Sequence, residues 1–259
     1  MLAALVPLFA LAQGEALLPE EHHHLHFTEA VTVWDEALPL GNGLLGALVW
    51  GDGAPLKISL DRTDLWDTRP VPEYHCEEYR YELMREWEKE GRVDDLLRLY
   101  DNPYHRPAPT KIPAGRIEID LPHSDFRDTQ LDLLRAQASM RWKDGARAHM
   151  WIHATEPVGV IRISGVEAIE PRLVAPAFGG KAPGDGKPAI VAGELAQLGY
   201  PPPEHHEGDN WKAYTQEGWD GFRFAVCIAW LRADDQWLAG WSVASNWDDE
   251  DPWETSKRH

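Results

Sequence analysis

Positive charge is what this sequence has least of. Its 25 lysines and arginines stand against 43 aspartates and glutamates, for a formal net charge of −18 over 259 residues. That balance excludes a nucleic-acid ligand, because phosphate binding needs a basic face. It also argues against an anionic membrane surface. It favours solubility and leaves neutral or cationic ligands open. Sulfur is scarce as well. The only cysteines are Cys76 and Cys227, with no CxxC pair and no zinc spacing. In an exported protein they could form one disulfide, and the sequence leaves that pairing open. No later stretch is apolar enough to cross a membrane. Residues 2–12 are uncharged and apolar but too short to span one. They read as the apolar region of a secretory signal peptide, with Ala10-Leu11-Ala12 as a small-x-small cleavage site before Gln13. The usual basic start is missing, and the alternative is a buried N-terminal helix or strand.

What the chain does hold is concentrated at residues 34–66, WDEALPLGNGLLGALVWGDGAPLKISLDRTDLW. Residues 44–50 are nearly continuously apolar, as in a strand covered on both faces. Asp52-Gly53 signals a tight turn, and residues 56–60 alternate with period two. The stretch therefore predicts a hairpin with an acidic, aromatic exit over 61–67. Before it, residues 13–26 read as a linker. Its histidines 22, 23, 24 and 26 lack an acidic or cysteine partner at fixed spacing, so no metal is expected there.

Residues 77–100 change character. Tyr79, Leu83 and Trp87 fall at i, i+4, i+8, and Val93, Leu96, Leu97 and Tyr100 fall on one helical face. Gly91 separates two short predicted helices, and the prolines at 103, 107, 109 and 113 end the pattern. Strands are predicted again at 116–121, 124–131, 140–142, 146–153, 158–163, 222–230 and 237–243. Residues 176–188 are loop, and Pro201-Pro202-Pro203 is a stiff connector. Many strands at short intervals predict a mainly β fold: a large antiparallel β-sandwich with a short helical insertion.

Site candidates follow from chemistry. Glycoside hydrolysis needs two carboxyl or water-positioning groups across the bond. Asp61, Asp64 and Asp67 offer carboxylates, but on a segment leaving a strand they read first as turn acids. No catalytic residue is assigned. Gly41-Asn42-Gly43 lacks the lysine of a P-loop, and no Gly-x-Gly-x-x-Gly follows a strand, so no cofactor is expected. Sugars stack on exposed rings. Among thirteen tryptophans, Trp34, Trp66, Trp211 and Trp219 lie near turns, whereas Trp50, Trp151, Trp230 and Trp241 lie in strand patterns and read as core. The candidate substrate-binding set is Trp34, Asn42, Asp61, Asp64 and Trp66. His149, His153, His205 and His206 form no triad pattern, and Ser59 and Ser164 lack a nucleophile elbow.

The run from Trp34 through Gly43, with Leu45-Gly46-Ala47 and Trp50-Gly51, resembles the opening signature of the N-terminal domain of glycoside hydrolase family 95, the α-L-fucosidases and α-L-galactosidases. That domain is similar to the N-terminal supersandwich of family 65. Residues 58–66 stand at the place of the family's QLNEDTLW segment, with Asp61-Arg62 where the family has Asn-Glu. Residues 113–117 resemble its PLGDL segment. Residues 131–133 with 142–145, and 211–230, resemble later strands. The resemblance implies a supersandwich domain over 27–247 and the start of a linker over 248–259. It implies an (α/α)6 domain carrying the catalytic glutamate, in cis or in trans, with no catalytic role inherited by any position here. It further implies a secreted or periplasmic protein, split or truncated, with carbohydrate as its ligand class. The alternatives are a free-standing carbohydrate-binding module or a docking scaffold for a separately encoded catalytic domain.

Overall fold

The computed structural model describes residues 18–121, 125–178, 195–249 and 251–259. In chain order the first strands are β1 (Leu25–Phe27), β2 (Leu38–Gly41), β3 (Leu45–Trp50), β4 (Leu56–Arg62), β5 (Trp66–Asp67) and β6 (Thr110–Lys111). Then come β7 (Arg116–Ile119), β8 (Phe126–Asp132), β9 (Gln137–Trp142), β10 (Arg147–Ile152), β11 (Val158–Ser164) and β12 (Arg172–Val174). The last are β13 (Glu204–Gly208), β14 (Trp211–Glu217), β15 (Arg223–Ala233) and β16 (Gln236–Ser245). They build a nine-stranded sheet ordered β1-β8-β9-β10-β11-β16-β15-β14-β13 and a five-stranded sheet ordered β12-β7-β4-β3-β2, with β5 and β6 paired apart. All pairings are antiparallel. The predicted antiparallel sandwich is thus the fold.

Alternation decides which face is inside. In β3 and β4, Leu45, Ala47 and Val49 and then Leu56, Ile58 and Leu60 are buried, while Gly46, Leu48, Lys57 and Ser59 between them are only half-buried. In the larger sheet Met140, Met150, Ile161, Val226, Ile228 and Val243 face them across one core. A fully buried aliphatic side chain of this kind contributes about 1.5–3 kcal/mol.

Polar side chains also tie the sheets together. Tyr214 Oη donates to Ala114 O at 2.6 Å, and Trp142 Nε1 donates to Asp52 O at 2.5 Å. The second bond clamps the turn of the first hairpin. Gly53 sits there at φ +106°, and a Cβ on it would lie 2.6 Å from Trp142 Nε1. The tight-turn signal therefore marks a point of close approach between the sheets.

The helical insertion holds α1 (Tyr81–Glu90) and α2 (Val93–Leu96), with Gly91 between them as the periodicity predicts. Helical turns then run on through Pro103 to His105, beyond the predicted stop, because a proline is tolerated in a first turn.

Several expectations need correction. Residues 25–27, placed across the linker boundary, form β1 on the edge of the large sheet, with Leu25 opposite Leu131 and Phe27 opposite Thr129. Trp151, expected in the core, lies half-buried on the outer face, because Met150 and Ile152 take the inward positions of β10. Residues 248–259, expected as the start of a linker, contain α3 (Pro252–Arg258), capped by Asp251 Oδ1 accepting from Trp253 N at 2.9 Å. This helix packs on the outer face of β15 and β16. The seat is made of small residues, Ala225, Cys227, Ser242 and Ala244, and Ser242 Oγ donates to Ser256 O at 2.7 Å. The signal-peptide segment, residues 13–17 of the linker and most of the 176–188 loop lie outside the described residues.

Cys76 and Cys227 are both free. Burial pushes the Cys227 thiol up to about 11, against a small opposing pull from Lys257. Thiol titration with a disulfide reagent near neutral pH is therefore expected to give one fast group, Cys76, and one slow group, Cys227. Both should react at once in denaturant. Equal native rates would contradict the burial of Cys227 under α3.

Candidate functional site

A groove of about 870 Å³ lies on the outer face of the five-stranded sheet. Its floor is the outward side of β2, β3 and β4, with Pro39, Leu48, Ser59 and Asp61. One wall is the segment after the helical insertion, from Tyr104 to Pro113, and another is Leu195 to Leu198. Trp34, in the helical turn just before β2, closes the rim and is 50 % exposed. The groove follows from strand alternation: Pro39, Gly46, Leu48, Ser59 and Asp61 face away from the core in β2–β4, and a proline-rich segment runs beside them.

Asp61 is the group with the most chemistry. Lys111 Nζ donates to Asp61 Oδ1 at 2.6 Å, to Leu65 O at 3.2 Å and to Arg62 O. All three ammonium hydrogens are thus spent within the protein. Asp61 Oδ1 also accepts from the Arg62 backbone N–H at 2.8 Å. Oδ2 takes no hydrogen bond among the described residues, and the side chain is 53 % exposed. Among the described lining residues Asp61 alone carries a carboxyl. Among the described lining residues the groove thus offers one carboxylate, where most glycoside hydrolases flank the bond with two.

The other sequence candidates do not join it. Asn42 Nδ2 donates to His153 O and Glu156 O, both at 2.9 Å, and its Oδ1 accepts from Leu44 N at 3.0 Å and Leu45 N at 2.8 Å. With both amide hydrogens and both oxygen lone pairs engaged, Asn42 fastens the β2–β3 turn to the β10–β11 loop. Trp66 is exposed but outside the groove, and its Nε1 donates to Thr63 O at 2.9 Å.

Asp64 faces inward to Arg62. Arg62 is 2 % exposed. Its Nε and Nη2 donate to Asp64 at 2.9 and 3.1 Å, Nη1 and Nη2 donate to Asp248 at 2.7 and 2.6 Å, and Nη1 also reaches Val243 O at 2.7 Å. Burial alone would lower the Arg62 pKa, but the Asp248 hydrogen bond and the charges of Asp64 and Asp248 raise it above its ordinary value. Asp248 shows the mirror effect. Burial opposes its ionisation, and the bonds from Arg62 and from Ser245 N hold its carboxyl below the usual carboxylate range. Asp67 is fully buried, accepts from Tyr200 Oη at 2.6 Å and from the Arg69 backbone N–H at 3.0 Å, and pairs with the Arg69 guanidinium at 2.9 Å. It too is structural.

A carboxyl with a depressed folded pKa contributes stability above its unfolded value, near pH 4, and that stability is lost as pH falls through the lower folded value. Urea unfolding from pH 5 down to pH 2 should therefore show a steep acid limb, and Asp248→Asn should flatten it. Equal slopes for the two proteins would contradict this role for Asp248.

Sequence reasoning missed Lys111, Tyr104 and Leu198. For Tyr104 and Lys111 the only signal was the proline-rich run 103–113, which predicts rigidity but not which face it presents, and Leu198 had none.

The fold is a two-sheet antiparallel β domain with a groove on the outer face of its smaller sheet. The chain belongs to the family of N-terminal domains of glycosyl hydrolase family 65, whose model matches residues 25–170. It is thus a non-catalytic domain of a glycoside hydrolase-like protein. The matched span runs from β1 through β11, and β12 to β16 complete the two sheets beyond it. No curated protein matches the chain.

Proposed function

We propose that this domain serves an exported, α-L-fucosidase-like glycoside hydrolase of the family 95 type, bracing an (α/α)6 catalytic domain supplied in cis or in trans. The single carboxylate of the groove is the observation that carries the non-catalytic role. The family 95 reading is supported by the residues of its opening signature, which make up the turn before β2 and the β2–β3 hairpin. The purified chain is expected to release no aryl alcohol from an aryl α-L-fucoside or α-L-galactoside above the buffer rate. Turnover that disappears on Asp61→Asn or Asp64→Asn would refute the reading.

A second reading, carbohydrate binding in its own right, is favoured by aromatic exposure. Trp34, Trp66 and Trp219 all present large exposed ring surface. Such rings bind sugar faces at little ordering cost.

A further inference from the structure

We propose that the groove over β2–β4 is a binding site for neutral oligosaccharides, with Trp34 and Tyr104 as stacking faces and Asp61 as the hydroxyl acceptor. The inference rests on the carbohydrate reading and deepens it by naming the site and the class of ligand. The groove volume of about 870 Å³ lies within the range of small-ligand sites. Trp34 and Tyr104 are both exposed at its edge, Tyr104 at 77 %. Pro39, Pro107, Pro109 and Pro113 give rigid apolar surface between them. Rings and prolines suit the C–H face of a pyranose, and little side-chain entropy is lost on binding.

The polar groups narrow the class. Asp61 is held in place by Lys111 through Oδ1 and leaves Oδ2 as an ionised acceptor facing open groove. Hydrogen bonds to a charged acceptor are roughly twice as strong as neutral ones. A polyol supplies the donors this acceptor needs. Acidic sugars are disfavoured, because Asp61 repels them and the nearby cations are engaged: Lys111 as above, and Arg106 on Glu73. A proline-rich peptide would also suit the rings. It offers mainly carbonyl acceptors, which Asp61 cannot satisfy.

The test is a glycan array probed with the labelled whole chain, followed by titration of the best neutral binder and of 2′-fucosyllactose by tryptophan fluorescence. Binding in the micromolar to millimolar range is expected. Trp34→Ala should weaken it at least about tenfold, and Asp61→Asn about fivefold, as expected for loss of a stacked ring and of a charge-assisted hydrogen bond. Trp247→Ala, on an exposed ring outside the groove, should leave affinity unchanged. Circular dichroism of the variants checks that they fold. Binding of no neutral glycan, unchanged affinity in both groove variants, or displacement of the sugar by a decaproline peptide would each overturn the proposal. Those outcomes leave the bracing role standing. Hydrolysis of an aryl fucoside would refute the non-catalytic reading and leave the groove proposal intact.

Discussion

Gly159→Val is expected to lower stability by about 3 kcal/mol or more, read as a fall in the urea midpoint at unchanged slope. Gly159 lies in β11 directly opposite Trp241 of β16. Trp241 is 1 % exposed in the core. A Cβ built on Gly159 would stand 1.9 Å from Cζ2 of that indole and 2.0 Å from Cε2. No rotamer of the valine avoids the clash, because the Cβ itself makes it. The ring has nowhere to go either, since the inner face is packed by Ile161, Ile228 and Val243. The control is a second substitution that removes the obstacle. Trp241→Leu alone should destabilise by leaving a cavity. Combined with Gly159→Val it should cost less than the sum of the two, by at least about 1 kcal/mol of coupling. Simple additivity would show that the two residues do not compete for the same space.

Arg62→Met should cost about 2–3 kcal/mol and loosen the C-terminal segment. Removing one side of a buried ion pair typically costs 3–5 kcal/mol, because the remaining charge is left without a partner. The lower figure applies here because Asp64 and Asp248 keep about 30 % of their side-chain surface in water. Arg62→Lys should restore less than half of the loss. One ammonium cannot reach two carboxylates and the Val243 carbonyl with the geometry of a guanidinium fork. Loosening of the C-terminal segment would be read by hydrogen exchange at Ser245 and Asp248, whose N–H groups are bonded in the same corner. Arg85→Met is the contrast. Arg85 pairs with Glu88 on the helical surface at 3.0 Å with both side chains at least half exposed, and no measurable change is expected. If Arg62→Met behaved like Arg85→Met, the link between β4 and residue 248 would be unimportant.

Arg62 also shows where sequence reading reaches its limit. Beside the family pattern, Asp61-Arg62 in place of Asn-Glu looks like a change at a sugar site. In the folded chain the two residues part company. Asp61 points out into the groove, and Arg62, one position on, points into the core. The strand runs two residues past the predicted 56–60, and its period-two alternation accounts for that split. It could not name Asp248 as the partner, 186 positions away. Asn42 carries the same lesson. A glycine-flanked asparagine invites a ligand role, and its four hydrogen bonds, two of them to residues more than a hundred positions distant, show it already occupied.

Tryptophan exposure was partly legible. Trp34, Trp66 and Trp219, placed near turns, are exposed, but Trp211, placed there too, is half-buried against Trp253 of α3, and Trp50, Trp230 and Trp241, placed in strands, are buried. Trp151 broke the rule, because a strand on the outer side of a sandwich alternates like any other and the pattern does not say which phase faces the core. Trp247, the most exposed of the exposed indoles, gave no signal from its polar neighbours.

By itself, the sequence determined the local pairings and the class. The hairpins β3–β4, β9–β10 and β15–β16 join neighbours across short turns, so alternation and turn chemistry predict them without knowledge of the rest. The opening run from Trp34 likewise carried the family resemblance, and the excess of acid argued against nucleic acid. Only the tertiary structure decided how those hairpins stack. It set β16 beside β11, folded α3 onto a seat of small residues, and buried Arg62 between two acids. It also turned Asp61 and Trp34 into the sides of one groove. Those outcomes depend on contacts between residues far apart in the chain, and their free energy comes from burial and charge pairing that no local window contains.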